Sequence, residues 1–169
     1  MNQETFKTSV FVHKDKLFRF ARRILVSDDE AYDVVQEILM KLWEKRNSLA
    51  EVSNIEAYAM RMVNNECVNR LRKFDVRENY KNVVQTDWYI QHEQQEIKPL
   101  ILNLIDQLPE KQRKVMHLKD VEELEIKEIA GILEMEENTI RVNLMRARQK
   151  VREQLEVFFE HEERAINYK

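Results

Sequence analysis

Residues 126–155 read IKEIAGILEMEENTIRVNLMRARQKVREQL, and two apolar stripes separated by a short break decide how this segment folds. Ile126, Ile129, Ala130 and Leu133 recur at the spacing that puts side chains on one face of an α-helix. A few acidic or apolar residues later a second stripe begins, carried by Ile140, Leu144, Ala147, Val151 and Leu155. Two helices joined by so short a turn share one core and leave the outer face of the second projecting, as a helix-turn-helix requires. With about 3.6 residues per turn, that outer face is Asn138, Arg141, Val142, Met145, Arg146, Gln149 and Arg152, and it carries no acid. In the major groove Arg141 and Arg146 would reach guanine edges or phosphates, and Val142 and Met145 would touch thymine methyls. The plainer alternative is that these arginines keep an exposed helix solvated; the helix before them favours DNA.

Working outward, the stripe Ile97, Leu100, Ile101, Leu104, Ile105, Leu108 predicts another helix, and Pro109 suits the first turn of the next, with Val115, Leu118 and Val121 buried. Residues 75–96 lack sustained periodicity and are polar, so they read as a linker, with Trp88 and Tyr89 available to pack on something. Before it, Phe6, Val10, Leu17, Phe20, Ala21 and Ile24 predict a first, basic amphipathic helix. Ser27 with Glu30 reads as a capping box opening a second helix, through Ala31, Val34, Val35, Ile38, Leu39 and Leu42 to about Trp43. Ser53 with Glu56 repeats that signature for a third helix ending near Phe74, and residues 45–52 form the loop between.

The expected fold is therefore all-α: two small helical domains joined by a linker, the C-terminal one a helix-turn-helix. The boundaries are 1–75, 76–96 for the linker, and 97–169. One glycine and two prolines in 169 residues leave few hairpin signals. A net charge of −3 argues against a protein that holds nucleic acid by bulk attraction. Local charge differs, because residues 137–152 hold five basic side chains against Glu137 alone, whereas residues 28–37 hold five acids and no base. No apolar run approaches the roughly 18 residues that span a bilayer, and residues 1–23 lack a signal peptide's pattern, so a cytoplasmic protein without membrane insertion is expected. Cys67 has no partner cysteine and falls at core spacing from Val63 and Leu71. No phosphate loop or paired-histidine zinc motif occurs, and His13, His92, His117 and His161 are too scattered to form a ligand set. His117 is expected on a helix surface. Neither an enzyme, a metal nor a cofactor is indicated.

Leu108-Pro109-Glu110-Lys111-Gln112-Arg113, Ile129-Ala130, Asn138-Thr139-Ile140-Arg141 and Arg146-Ala147-Arg148 together resemble region four of extracytoplasmic-function sigma factors. Asp33-Val34-Val35-Gln36-Glu37 leading to Leu42-Trp43, and Met62-Val63-Asn64-Asn65 through Asn69-Arg70-Leu71-Arg72-Lys73, resemble region two. The two motifs lie in the family's order and cover most of the chain. The resemblance implies a factor that binds RNA polymerase core and directs it to promoter DNA, without catalytic residues of its own. It assigns Asp33, Gln36, Glu37 and Trp43 to polymerase docking. Leu49, Arg61, Asn65, Asn69, Arg72 and Lys73 fall to the minus-ten element, with Arg70 also on phosphates. Asn138, Thr139, Arg141, Val142, Met145, Arg146 and Arg148 fall to the minus-thirty-five element. An anti-sigma factor is a further partner the family allows.

The chain departs from the family where a Leu-Gly-Ile-Ser-like turn is usual: Glu134 stands at the glycine position and Glu136 at the serine cap. A left-handed non-glycine residue costs about 1 kcal/mol, and Asn138 or Thr139 is the alternative cap. Two other readings compete: a dimeric helix-turn-helix regulator whose first half senses or dimerises, and a helical interaction module that uses the acidic helix and the Leu155, Phe158, Phe159 end. The basic third helix disfavours the latter.

Overall fold

The computed structural model describes the backbone of residues 1–78 and 97–167 and the side chains of residues 1–73 and 97–160. Among these residues every regular element is helical: α1 Gln3–Ser9, α2 Lys14–Leu25, α3 Asp28–Glu44, α4 Ile55–Glu78, α5 Ile97–Asp106, α6 Glu110–Met116, α7 Ile126–Leu133 and α8 Glu137–Asn167. Short 3-10 turns at Phe11–His13 and Ser48–Glu51 and one π-helical turn at His117–Val121 join them. Most of the expected linker, with Trp88 and Tyr89, lies outside the described residues.

The stripes read from the sequence are the core. Leu17, Phe20, Ala21 and Ile24 of α2 are buried with Ala31, Val34, Ile38 and Leu42 of α3 and Ala59, Met60, Val63 and Cys67 of α4. In the second half Ile105, Val115, Leu118, Ile129, Ile132, Ile140, Ala147 and Val151 do the same for α5 to α8. Burial pushes the Cys67 thiol up to about 12, so it is a small apolar filler rather than a reactive thiolate.

The first helix is broken where the sequence predicts continuity. Val10 takes φ −118° as the C-cap of α1, and the 3-10 turn redirects the chain into α2. The β-branched Val10 and Val12 crowd a helical turn, and the break lets Phe6 reach the Trp43 ring edge-on at 5.0 Å. The caps also differ in detail. Ser27 Oγ accepts from the Glu30 amide at 3.4 Å, but the Glu30 carboxylate turns to Arg70 instead of closing the box. Asn54, not Ser53, caps α4, its Oδ1 accepting from the Ala57 amide at 2.9 Å. Glu56 is drawn away to Lys16 at 2.5 Å.

Between α7 and α8 Glu134 adopts the left-handed conformation, φ 54° and ψ 46°, as a three-residue turn demands at the family's glycine position. The helix then starts at Glu137, so Asn138 and Thr139 lie inside its first turn and do not cap it. What closes this motif is a box at the other end of α7, where the Glu125 side chain accepts from the Glu128 amide and the Glu128 side chain accepts from the Glu125 amide at 2.9 Å.

The two halves pack directly on each other. Arg19 forks onto Glu122, both contacts 2.7 Å. Asp106 receives Arg22 at 2.7 Å and Arg23 at 2.6 Å, and Arg23 also donates to the Leu102 carbonyl at 3.0 Å. Lys114, Asn54 and Arg61 add contacts to Asn64, Glu128 and Glu134 respectively. His117 corrects the expectation of a surface residue: it is fully buried, its ring parallel to Phe20 at 6.0 Å. The π-turn, closed by Glu122 N–H donating to the His117 carbonyl at 3.0 Å, widens the helix at this point and turns the imidazole toward the other half.

Candidate functional site

Three surfaces remain uncovered once the stripes are buried. On α3, Asp33, Gln36 and Glu37 are exposed one face away from Val34, Val35 and Ile38. The end of that face is Trp43, partly covered by Phe6 and by the Arg46 guanidinium 4.5 Å from its ring centre. Asp28 is paired with Arg22 at 3.2 Å, and Glu37 with Arg70 at 2.5 Å, whereas Asp29 and Asp33 have no ion pair among the described residues.

On α4, Asn65, Asn69, Arg72 and Lys73 are exposed and share a line along the helix. Arg61, also exposed, is tied to Glu134 of the helix-turn-helix. Two expected members of this set sit elsewhere. Leu49 is 2% exposed, so its side chain is a core contact and only its backbone can shape a pocket. Arg70 is bound to Glu30, Glu37 and Glu66, so it does not handle phosphates in this arrangement. Asn64 is buried, its Oδ1 accepting from Lys114.

On α8 the expected outer face is on the outside: Asn138, Thr139, Arg141, Val142, Met145, Arg146, Gln149 and Arg152 are all exposed, with Met145 62% and Val142 41%. Arg141 lies against Glu137 at 2.8 Å. Arg148, expected on DNA, is instead forked onto Asp120 at 3.0 and 2.5 Å, which clamps α8 to the π-turn. Arg146, Lys150 and Arg152 have no ion pair among the described residues, so the ridge keeps a positive surplus. The sequence did not signal the Asp120 contact, because nothing local marks Asp120 as facing α8.

The seam between the halves holds two titrating groups. Burial alone would raise the Glu122 carboxyl, but the His117 imidazole and the Arg19 guanidinium facing it win and hold it at about 2. Burial pushes His117 below its ordinary value. Both shifts act in the same direction. A depressed carboxyl stabilises above its unfolded value near 4.5 and loses that as pH falls toward 2, and a depressed histidine stabilises above about 6.5 and loses that below it. Urea unfolding is therefore expected to show stability declining from pH 7 to pH 3, with Glu122 accounting for about 2 kcal/mol of the loss between pH 5 and pH 3. A Glu122→Gln variant should flatten that lower part; an unchanged slope would show that Glu122 is not held by the seam.

Among the described residues no cluster of His, Cys, Asp and Glu is placed to hold a metal ion, and no helix is long and apolar enough to cross a membrane. What the chain offers is an all-helical scaffold with an acidic face, a polar and basic face, and a helix-turn-helix whose ridge is open. That defines a helix-turn-helix transcription protein. Comparison with known proteins places it more closely: residues 12–76 match the Sigma-70 region 2 family and residues 99–151 match Sigma-70, region 4. The chain is 26% identical to the ECF RNA polymerase sigma factor SigW of Bacillus subtilis, over 91% of this chain and 90% of that one. It is 28% identical to the RNA polymerase sigma-E factor of Streptomyces avermitilis, over 89% and 85%. Its fold is similar to that of the sigma factor RpoE solved with the anti-sigma factor NepR from Bartonella quintana, with a TM-score of 0.73, 24% identity and coverage of 91% and 98%. It is also similar to CnrH solved with the cytosolic domain of CnrY, with a TM-score of 0.67, 20% identity and coverage of 92% and 90%. The chain belongs to the sigma-70 family, in its extracytoplasmic-function group. It is a non-catalytic factor that directs promoter-specific transcription initiation.

Proposed function

We propose a division of labour within that role. Residues 1–75 dock on RNA polymerase core and capture the minus-ten strand, residues 97–169 read the minus-thirty-five duplex, and residues 76–96 link them in the cytoplasm. In this reading Asp33, Gln36, Glu37 and Trp43 meet the polymerase. Arg61, Asn65, Asn69, Arg72 and Lys73 meet the unpaired strand, around a pocket to which Leu49 contributes backbone. Asn138, Thr139, Arg141, Val142, Met145 and Arg146 meet the duplex, with Arg148 holding their helix in place. The observation that carries it is the exposure of the acidic and cationic faces on α3, α4 and α8 while the stripes on the same helices are buried. Acid on one face suits a basic partner, and a cationic ridge suits phosphate. An anti-sigma factor such as the one bound by the RpoE relative is a partner this reading includes.

The packed arrangement has a consequence for this role. The two promoter elements are centred about 25 base pairs apart, or about 85 Å along B-DNA at roughly 3.4 Å per pair. Arg61 touches Glu134, Asn65 is about one turn beyond Arg61, and the seven residues from Glu134 to Arg141 span at most about 25 Å. The two reading faces are then within roughly 50 Å of each other, too close for both elements at once. The halves separate before the chain spans a promoter.

Transcription with purified core polymerase and a promoter library tests the division. Adding the chain should create new start sites, and permanganate should detect unpaired thymines just upstream of them. Start sites unchanged from core alone would refute it.

A further inference from the structure

Arg70 is the most heavily engaged cation of α4, and it faces away from the line that contains its neighbours. Asn69, Arg72 and Lys73 are exposed, but the Arg70 side chain is only 16% exposed. Its Nη1 donates to Glu30 Oε2 at 2.7 Å, its Nη2 to Glu37 Oε1 at 2.5 Å and its Nε to Glu66 Oε1 at 3.4 Å. Glu30 and Glu37 are seven residues, about two turns, apart on α3, so both carboxylates project on one face. Glu66 belongs to α4 and is also approached by Lys41 of α3 at 3.7 Å. Three carboxylates on two helices thus converge on one guanidinium, whose planar fork spreads its donors more widely than a compact ammonium.

Glu37 belongs to the docking face and is 47% exposed in its side chain. Its carboxylate is held by Arg70 and remains open to solvent on its outer side. Asn69 precedes Arg70 directly, and Arg72 follows two residues later, so the roll of α4 fixed by Arg70 fixes where those side chains point. We infer that Arg70 is a positioning residue for strand capture, tying α4 to α3 through Glu30 and Glu37 and so holding the orientation of the capture face. A docking cation that takes Glu37 leaves Arg70 on Glu30 and Glu66, so the capture face stays set while the chain is bound. This rests on the reading above in which α3 meets polymerase and α4 meets the unpaired strand.

The test uses holoenzyme assembled from core polymerase and the full chain, and compares Arg70→Met, Arg70→Lys and Glu30→Gln with the parent. Two quantities are read: affinity for core, and affinity of the holoenzyme for a fluorescent single-stranded oligonucleotide taken from the non-template strand of a promoter it melts. Arg70→Met is expected to weaken oligonucleotide binding about tenfold with core affinity within about twofold, since the Glu37 carboxylate remains available to core. Arg70→Lys should fall between. Glu30→Gln removes one arm without touching either face, and should reproduce the oligonucleotide defect by about threefold even if Arg70→Met folds poorly. A purely structural role would lower both affinities in parallel, and that result, or oligonucleotide binding within twofold of the parent in Glu30→Gln and Arg70→Lys, would overturn the inference. Failure of the underlying reading is distinguishable, because the parent chain would then form no holoenzyme or bind no oligonucleotide.

Discussion

Replacing Arg141 with alanine is expected to lower transcription from this factor's own promoters by about 10- to 100-fold, the range that one good side-chain contact to a base edge carries. The side chain is 55% exposed and its one ion pair among the described residues, to Glu137 at 2.8 Å, is itself exposed. Such a pair contributes at most about 1 kcal/mol, so Arg141 can leave Glu137 for DNA at little cost. Its position in the second turn of α8 puts it at the end of the helix that enters a major groove in this motif. Arg146 lies farther along the ridge without an ion pair among the described residues, and Arg146→Ala should weaken binding of all promoters and flatten the salt dependence. Arg148→Ala is the control, because its guanidinium is spent on Asp120: it should loosen the helix-turn-helix in a thermal melt more than it alters promoter choice. The measurement is run-off transcription across promoters differing in the minus-thirty-five element. If Arg141→Ala left both yield and promoter preference intact, the ridge would not be the reading surface.

Asp106→Ala is expected to cost about 3–5 kcal/mol, the usual penalty for removing one partner of a buried ion pair. Arg23 is the reason. Its side chain is 7% exposed and its guanidinium has Asp106 at 2.6 Å as its sole ion-pair partner among the described residues, with the Leu102 carbonyl alongside. Without Asp106 that charge is left dry between the halves. Separating the halves relieves the penalty by letting Arg23 reach water, so the loss should appear as opening before it appears as unfolding of either half. Distance measurements between labels on α4 and α7 should lengthen, and the first urea transition should move to lower concentration. Arg19→Ala should also be costly, since it leaves the Glu122 carboxylate, 2% exposed, with only His117 as an ion-pair partner among the described residues. Unchanged distances and an unchanged urea profile in Asp106→Ala would mean that the seam does not hold the halves together.

The sequence was legible wherever burial follows period. The stripes on α3, α7 and α8 are buried or half-buried as their spacing requires, and so is that on α5 except for Ile97, which is 58% exposed; the left-handed residue at Glu134 follows from how few residues separate two of them. Local choices between equals were less legible. Ser53 and Asn54 are both competent caps, and the side chain that reaches the amide at 2.9 Å is that of Asn54. The break at Val10 was hidden because the apolar spacing continues across it. The residues found in surroundings other than those expected were those whose partners come from distant chain. His117 is buried by Phe20 of the other half, Arg148 is claimed by Asp120, and Arg70 by carboxylates on α3. No periodicity encodes such contacts. Exposed positions such as Asn65, Arg141 and Met145 were legible because they are what the stripes leave over.

Footprinting the chain on one promoter, with and without core polymerase, tests the central claim most directly. The chain alone is expected not to protect both elements at once at moderate salt, because the packed halves cannot span them; once core is present, simultaneous protection of the minus-thirty-five duplex and opening at minus ten are expected. Protection of both elements by the chain alone, or of neither with core present, would contradict it.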